Sequence, residues 1–331
     1  MSLSLPVIEA QPYREEEIPV LQAEIRRLAK ERNAIILAHN YQRAEVQDVA
    51  DFVGDSLGLS RRAAEVEEDV IVFCGVHFMA ETAKVLSPEK TVLLPNLEAG
   101  CSLADTITPE EVRGWRRQFP DYVAVGYVNT TAAVKAELDY CSTSGNVLDV
   151  IDAIPEEKGI LFLPDMFLGA HVRRMRPHRK VEVWMGECHV HAGIDIDSLQ
   201  AAREAHPKSE VLVHPECGCA SRLLYRMADG DLPPDGIHIA STEGMINLTR
   251  DLDADTFIIA TETGIIHRMR QMAPEKRFVP ADRAAECAYM KTITLVDVRD
   301  ALAKNQHVID VPADIRERAL GAIERMVQLG D

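Results

Sequence analysis

Ala34-Ile35-Ile36-Leu37-Ala38-His39-Asn40-Tyr41-Gln42 joins a short apolar run to an imidazole, an amide and a phenol. A run of this length without polar alternation suits a strand covered on both faces, as in a parallel sheet. The same unit recurs along the chain: an apolar run, a polar or glycine-bearing tip, then a helical stretch. Further runs lie at 70–73, 92–94, 123–125, 160–163, 181–184, 211–213, 237–240 and 257–260. This is the rhythm of an α/β fold with parallel sheets. Ahead of the first run, Ile18, Leu21, Ile25 and Leu28 recur at helical spacing and predict a leading helix over 15–32.

The tips carry the reactive side chains. They include His39 and Tyr41, Cys74 and His77, Asn96 and Cys101, Tyr127 and Asn129, Cys188 and His191, His214 and Glu216, Ser241 and Thr242, and Glu262 and Thr263. Open α/β sheets bind ligands beyond the carboxyl ends of their strands, so these groups lie where such a fold would use them.

The chain has 331 residues, enough for two or three packed units. With 47% hydrophobic and 27% charged residues it is globular in composition. Lys and Arg number 36 against 53 Asp and Glu, a net charge of −17 that speaks against nucleic acid or an anionic membrane surface as partner. A small anion bound by local donors and a metal remains compatible with it. The first residues lack a basic, apolar leader, and no run approaches about eighteen apolar residues, so a soluble cytoplasmic protein is expected.

Seven scattered cysteines do not describe a disulfide scaffold; free thiols or metal ligands are expected. Cys101, Cys188 and Cys287 fall one to each third of the chain, a spacing that suggests three similar domains meeting at one site. Punctuation is local, as in Leu232-Pro233-Pro234-Asp235-Gly236, so boundaries follow the rhythm. The first domain covers 33–118 with the leading helix at 1–32 and a closing segment at 291–331; the second covers 119–205 and the third 206–290.

The chain contains neither G-x-x-x-x-G-K-[ST], G-x-G-x-x-G nor H-E-x-x-H, which removes the main signatures of ATP, dinucleotide and zinc-protease chemistry. Gly54-Asp55-Ser56-Leu57-Gly58 reads either as a helix N-cap or as an anion site at backbone N–H groups. Gly186-Glu187-Cys188-His189-Val190-His191 and His214-Pro215-Glu216-Cys217-Gly218-Cys219 are dense in metal-competent groups. Cys217-x-Cys219 is tighter than the usual zinc spacing, and three remote thiolates on an iron-sulfur cluster are the alternative. Glu216 beside His214 suits a general base, which His191 could orient. Tyr127 and Asn129 share one side of a strand end, as an anion clamp or a buried pair. Thr143-Ser144-Gly145-Asn146 offers caps or carboxylate ligands.

Together these segments resemble the quinolinate synthase A family of de novo NAD biosynthesis. The resemblance rests on Leu37–Gln42, Val49-Ala50-Asp51-Phe52-Val53-Gly54-Asp55-Ser56-Leu57, Asn96-Leu97-Glu98-Ala99-Gly100-Cys101-Ser102-Leu103-Ala104 and Tyr127-Val128-Asn129-Thr130-Thr131-Ala132. It continues through the 186–191 and 214–217 strings, Ser241-Thr242-Glu243-Gly244-Met245 and Cys287-x-x-Met290-Lys291, all in family order. It implies three α/β/α sandwich domains around a pseudo-threefold axis, with a 4Fe-4S cluster held by Cys101, Cys188 and Cys287 and one iron left open. Cys74, Cys141, Cys217 and Cys219 match no cluster position, and 283–287 lacks the extra redox cysteines of some relatives.

The implied enzyme condenses iminoaspartate with dihydroxyacetone phosphate to give quinolinate, phosphate and water, the open iron acting as Lewis acid. Tyr41 and Glu216 are then the acid/base pair with His39 assisting. Tyr127, Asn129, Ser144, His191, His214 and Thr242 hold carboxylates and the carbonyl, while Ser56 and Ser241 anchor substrate or phosphate. Iminoaspartate is unstable, so an aspartate-oxidising enzyme is the expected supplier. A zinc-dependent lyase or hydrolase and a non-catalytic iron-sulfur sensor are the competing classes.

Overall fold

The computed structural model describes residues 5–228 and 235–330. The Leu232–Pro234 part of the punctuation noted above lies outside them. Twelve strands form three separate four-stranded parallel sheets. The first contains β1 (Ala34–His39), β2 (Phe52–Gly54), β3 (Val70–Cys74) and β4 (Thr91–Leu93). The second contains β5 (Val123–Tyr127), β6 (Tyr140–Ser142), β7 (Ile160–Leu163) and β8 (Val181–Val183). The third contains β9 (Glu210–Val213), β10 (Ile237–Ile239), β11 (Thr256–Ala260) and β12 (Arg277–Pro280).

The spatial order is the same in all three: β2-β1-β3-β4, β6-β5-β7-β8 and β10-β9-β11-β12. The first strand of each unit therefore lies inside its sheet, with its second strand on one side and its third on the other. That is the switch point beyond which ligands of open α/β sheets bind. The interior strands are the apolar ones. β3 and β7 are buried throughout, and β1 and β11 are buried after their first residue, because helices cover both faces. The apolar runs all become strands, and three strands escaped that criterion: β2, β6 and β12. Each lies at a sheet edge, where one neighbour supplies the pairing and a three- or four-residue segment with Gly54, Ser142 or Pro280 suffices.

The leading helix forms as Ile18–Glu31 behind a short 3-10 turn, burying Leu21, Ile25 and Ala29. The helix Leu295–Lys304 packs against it, and after that helix Ile309 donates to Val92 O at 2.8 Å beside β4. The last helix, Ala313–Gln328, packs on β6 and on the helices Ala132–Lys135 and His77–Leu86, so the closing segment touches both the first and the second unit. Among the described residues, no helix is long and apolar enough to cross a membrane.

Candidate active site

The interior first strands, β1, β5 and β9, end in His39-x-Tyr41, Tyr127-x-Asn129 and His214-x-Glu216, and all six side chains line one cavity. Ser56, Ser144, His191, Thr242, Cys101, Cys188 and Cys287 complete the set of sequence-predicted residues on its wall. Ser241 is not among the described lining residues; its Oγ accepts from Gly244 N at 3.2 Å and caps the helix Thr242–Asp251. The cap of the helix Ser56–Glu65 is Asp55, which accepts from Gly58 N at 2.9 Å, so Ser56 itself faces the cavity from the first turn.

Two tips share one local device. His39 Nδ1 accepts the N–H of Tyr41 at 3.1 Å, and His214 Nδ1 accepts that of Glu216 at 3.4 Å. A neutral imidazole so engaged carries its proton on Nε2. Burial holds both imidazoles at about 3, far below the ordinary histidine range, so both are neutral near pH 7. His214 Nε2 then donates to Ser144 Oγ at 3.1 Å.

Glu216 sits among these rings with Oε2 at 3.0 Å from His191 Nδ1 and 3.7 Å from His214 Nδ1. Burial alone would raise its carboxyl; His191, by charge and hydrogen bond, and the Tyr127 hydroxyl outweigh that and hold it below the usual range. His191 is pulled the opposite way: burial lowers it, and Cys188 and Glu216 overcome the burial and raise it. Glu216 Oε1 and Asn129 Oδ1 are buried without a partner among the described residues, leaving a basic oxygen and an acceptor on the cavity wall. Tyr41 is buried, and burial raises its phenol well above the ordinary value, so it is a proton donor at neutral pH. Its Oη lies 3.1 Å from Thr242 Oγ1 and 2.7 Å from Thr261 Oγ1. Acid and base thus face one space from different sheets.

The three thiols come from equivalent places, each in the segment after the fourth strand of its unit: Cys101 after β4, Cys188 after β8 and Cys287 after β12. All three are free and line the cavity. Burial pushes the Cys101 thiol up to about 12 and Cys287 to about 11, and raises Cys188 as well. Free thiolates would be costly in so dry a place, whereas thiolates on a cluster would be neutralised by its iron; the donor set fits a group bound by three sulfurs. Cys188, His191 and Glu216 also bring one ligand atom each within 4.8 Å of one another. Cys74 and Cys141 are buried and free, as bystanders should be. Cys217 and Cys219 differ from the expected free thiols: they form a disulfide across one residue.

A family model, the quinolinate synthetase A protein, matches residues 23–328. The chain belongs to the quinolinate synthetase A family. Proteins named quinolinate synthase from Mycobacterium sp. (strain KMS) and Mycobacterium tuberculosis (strain H37Ra) are each 52% identical to it over 308 residues, 93% of this chain and 91% and 88% of theirs. One from Thermus thermophilus is 54% identical over 310 residues, covering 94% of this chain and 97% of the relative.

Within this quinolinate synthetase A chain, several wall and near-wall residues escaped the sequence reading. Ser102 Oγ meets His189 Nδ1 at 2.7 Å, and the His189 ring lies edge-on to Tyr289 at 5.8 Å. Both Ser102 and His189 adjoin a cavity-lining cysteine in sequence, and that adjacency is the available signal. Asp165 is buried at the tip of β7 and caps the following helix at Leu168 N, 2.6 Å away. Thr261, directly after β11, carries less chemical signal than its neighbours Glu262 and Thr263. Its significance lies in contacts to residues far away in sequence.

Proposed function

We propose that this chain catalyses quinolinate formation from iminoaspartate and dihydroxyacetone phosphate, with release of phosphate and two waters. The observation that carries the reading is the convergence of three tips, one per sheet, on a cavity with an ionised Glu216, a protonated Tyr41 and neutral imidazoles. Cys101, Cys188 and Cys287 would hold a 4Fe-4S cluster, which supplies Lewis-acid chemistry when bound.

The remaining chemistry belongs to the chain. Glu216 Oε1, without a partner among the described residues, takes a proton from carbon next to the imine or the carbonyl. The Tyr41 phenol gives a proton to a departing hydroxyl, and the Nε2–H of His39 assists. Tyr127, Asn129, Ser144, His191, His214 and Thr242 hold the carboxylates and the carbonyl by hydrogen bonds. Ser56, on the first turn of its helix, anchors the phosphate with help from the helix N-terminus, and Ser241 stiffens the turn that carries Thr242. The working units are 33–118 with the leading and closing segments, 119–205 and 206–290. A cytoplasmic setting suits the five free cysteines, and an aspartate-oxidising enzyme would supply the unstable imine.

Anaerobic purification followed by metal analysis and assay tests this. Expected are about four irons per chain, quinolinate from the two substrates, and loss of iron in Cys101→Ala, Cys188→Ala or Cys287→Ala. The Cys188, His191 and Glu216 group supports a second reading, a single divalent cation in a lyase or hydrolase. Stoichiometric zinc without iron, and no quinolinate, would decide for it. Iron with no turnover would leave a sensor.

A further inference from the structure

Three side chains beside the cavity cysteines touch one another, one from each unit. Ser102 follows Cys101, His189 follows Cys188, and Tyr289 stands two places after Cys287. Each segment turns on its own bonds: the carbonyls of Cys101, Cys188 and Cys287 accept from Asp105 N at 3.2 Å, Ala192 N at 2.9 Å and Lys291 N at 3.0 Å. Such bonds shape each segment without fixing it to the other two.

The side chains make that connection. Ser102 Oγ lies 2.7 Å from His189 Nδ1, joining the first unit to the second. The His189 ring meets Tyr289 edge-on with centroids 5.8 Å apart, an attractive aromatic geometry that joins the second unit to the third. Gly100 closes the circle: a Cβ there would lie 3.3 Å from Tyr289 Cε1, so the backbone before Cys101 is packed against that ring. His189 Nε2 is buried without a partner among the described residues, which leaves Ser102 as the hydrogen-bond anchor of the imidazole. Gly100, Ser102, His189 and Tyr289 line the cavity together with the three thiols. Three sulfurs can bind one group only at a fixed mutual spacing, and a circle of contacts through all three segments is suited to hold that spacing.

We propose that Ser102, His189 and Tyr289 form a clasp that fixes the three sulfur-bearing segments to one another and so slows loss of the cluster. The clasp deepens the functional reading above and rests on the assignment there of Cys101, Cys188 and Cys287 to a 4Fe-4S group. Its side chains touch no reacting atom in this scheme; they are positioning residues that act through the cysteines beside them.

The test follows iron release from the anaerobic holoenzyme to an excess of a ferrous-iron chelator. His189→Ala should release iron about tenfold faster than wild type, the scale of one hydrogen bond and one aromatic contact. Ser102→Ala and Tyr289→Leu should each be about threefold to fivefold faster, whereas Tyr289→Phe, which keeps the ring, should stay within about twofold. Ser102→Ala should add nothing further to His189→Ala. Ile25→Val, a change in the buried face of the leading helix, controls for general loosening and should leave release within about twofold of wild type. The proposal is overturned by His189→Ala release within about twofold of wild type, by Tyr289→Phe as fast as Tyr289→Leu, or by Ser102→Ala and His189→Ala effects that multiply. It is also overturned if Ile25→Val releases iron as fast as His189→Ala. Should His189→Ala not fold, His189→Leu replaces it in each arm. A wild type that binds no iron refutes the functional reading instead, and alkylation rates of Cys101, Cys188 and Cys287, read by mass spectrometry, then decide the clasp. His189→Ala should raise those rates about tenfold, and rates within about twofold of wild type overturn it.

Discussion

Lys135 is an ammonium buried between the first and second units, and replacing it with methionine should make the protein's stability less dependent on alkaline pH. Its Nζ is fully buried, donates to Thr130 O and lies 5.1 Å from the centre of the Phe78 ring. Burial drives its proton affinity down from the ordinary 10.5 to about 8, despite partial compensation by Cys141 and Glu81. At about 1.4 kcal/mol per tenfold in affinity, keeping the charge at neutral pH costs about 3 kcal/mol. The unfolded chain binds the proton more tightly than the folded one, so stability rises with pH between about 8 and 10.5. From pH 7 to pH 10 the wild type should gain about 2.5 kcal/mol on Lys135→Met. With about 2.1 cal/mol/K per residue over the 331 residues, that is a relative rise in Tm of about 3–4 °C. Differential scanning calorimetry of both proteins across this range reads it directly. A wild-type-minus-variant difference that stays within about 1 °C from pH 7 to pH 10 would refute the reasoning. At pH 7 the relief from burying a charge is offset by an orphaned Thr130 carbonyl, worth about 1–3 kcal/mol. That carbonyl belongs to the loop presenting Tyr127 and Asn129 to the cavity, so the variant should also lose kcat/KM severalfold.

Glu216→Gln preserves shape but removes the base; kcat should fall about 10²- to 10⁴-fold with iron unchanged, and turnover at the wild-type rate would remove Glu216 from the mechanism. Asp165 is buried, and burial together with Glu216 holds its carboxyl well above the usual range. The unfolded carboxyl gives up its proton at lower pH than the folded one, so wild type should lose stability relative to Asp165→Asn as pH climbs above about 4; a flat difference in urea midpoints would contradict this. Asp165→Ala should cost about 1 kcal/mol through its lost cap on Leu168 N, measured in the same titration. In Gly186→Ala the new Cβ would collide with Thr106 Oγ1 and lie 2.6 Å from Pro164 O, a backbone atom with little freedom. We expect a loss of about 1–3 kcal/mol and poorer iron retention at Cys188 two residues on, both absent if the contact relaxes freely.

The fold was legible wherever burial on two faces demanded an apolar run. Ile35 to Ala38 must be apolar because helices cover both sides of β1, and the same pressure acts on β3, β7 and β11. Tyr140-Cys141-Ser142 escapes because an edge strand of three residues is specified by its partner: Tyr140, Cys141 and Ser142 pair with Val125, Gly126 and Tyr127. Gly126 carries the complementary constraint, since a Cβ there would collide with Leu138 Cδ1. Neither fact is a local property of 140–142. The Cys217–Cys219 bond escaped for another reason. One intervening residue is compatible with a metal-ligand pair or two core thiols as well as a disulfide, and only the backbone path at the start of the helix Gly218–Ala228 brings the sulfurs together.

At the site, strand tips could be read because alternation and chemistry coincide there, as in Tyr127-x-Asn129. What could not be read is which tips meet. Tyr41 and Thr261 are 220 positions apart, and Lys291 is 250 positions from the Tyr41 carbonyl it holds. The repeated strand order supplies the missing rule. Since β1, β5 and β9 occupy the same place in three like sheets, their tips fall at like places around one centre and bring His39, Tyr41, Tyr127, Asn129, His214 and Glu216 to one cavity. The segments after β4, β8 and β12 likewise bring one thiol each. The count of three thiols then follows from three units, and the division between first-strand tips that carry imidazole, phenol and carboxylate groups and fourth-strand segments that carry sulfur follows from where each lies in its sheet. A net charge of −17 does not by itself exclude an anion from the cavity: its wall carries His39, His191 and His214 with the hydroxyls of Tyr41, Tyr127, Ser144 and Thr242 beside the carboxyls of Asp55, Glu216 and Glu262, so hydrogen-bond donors rather than net charge would receive it. Acidic side chains elsewhere on the chain set the global balance without setting the chemistry of the cavity.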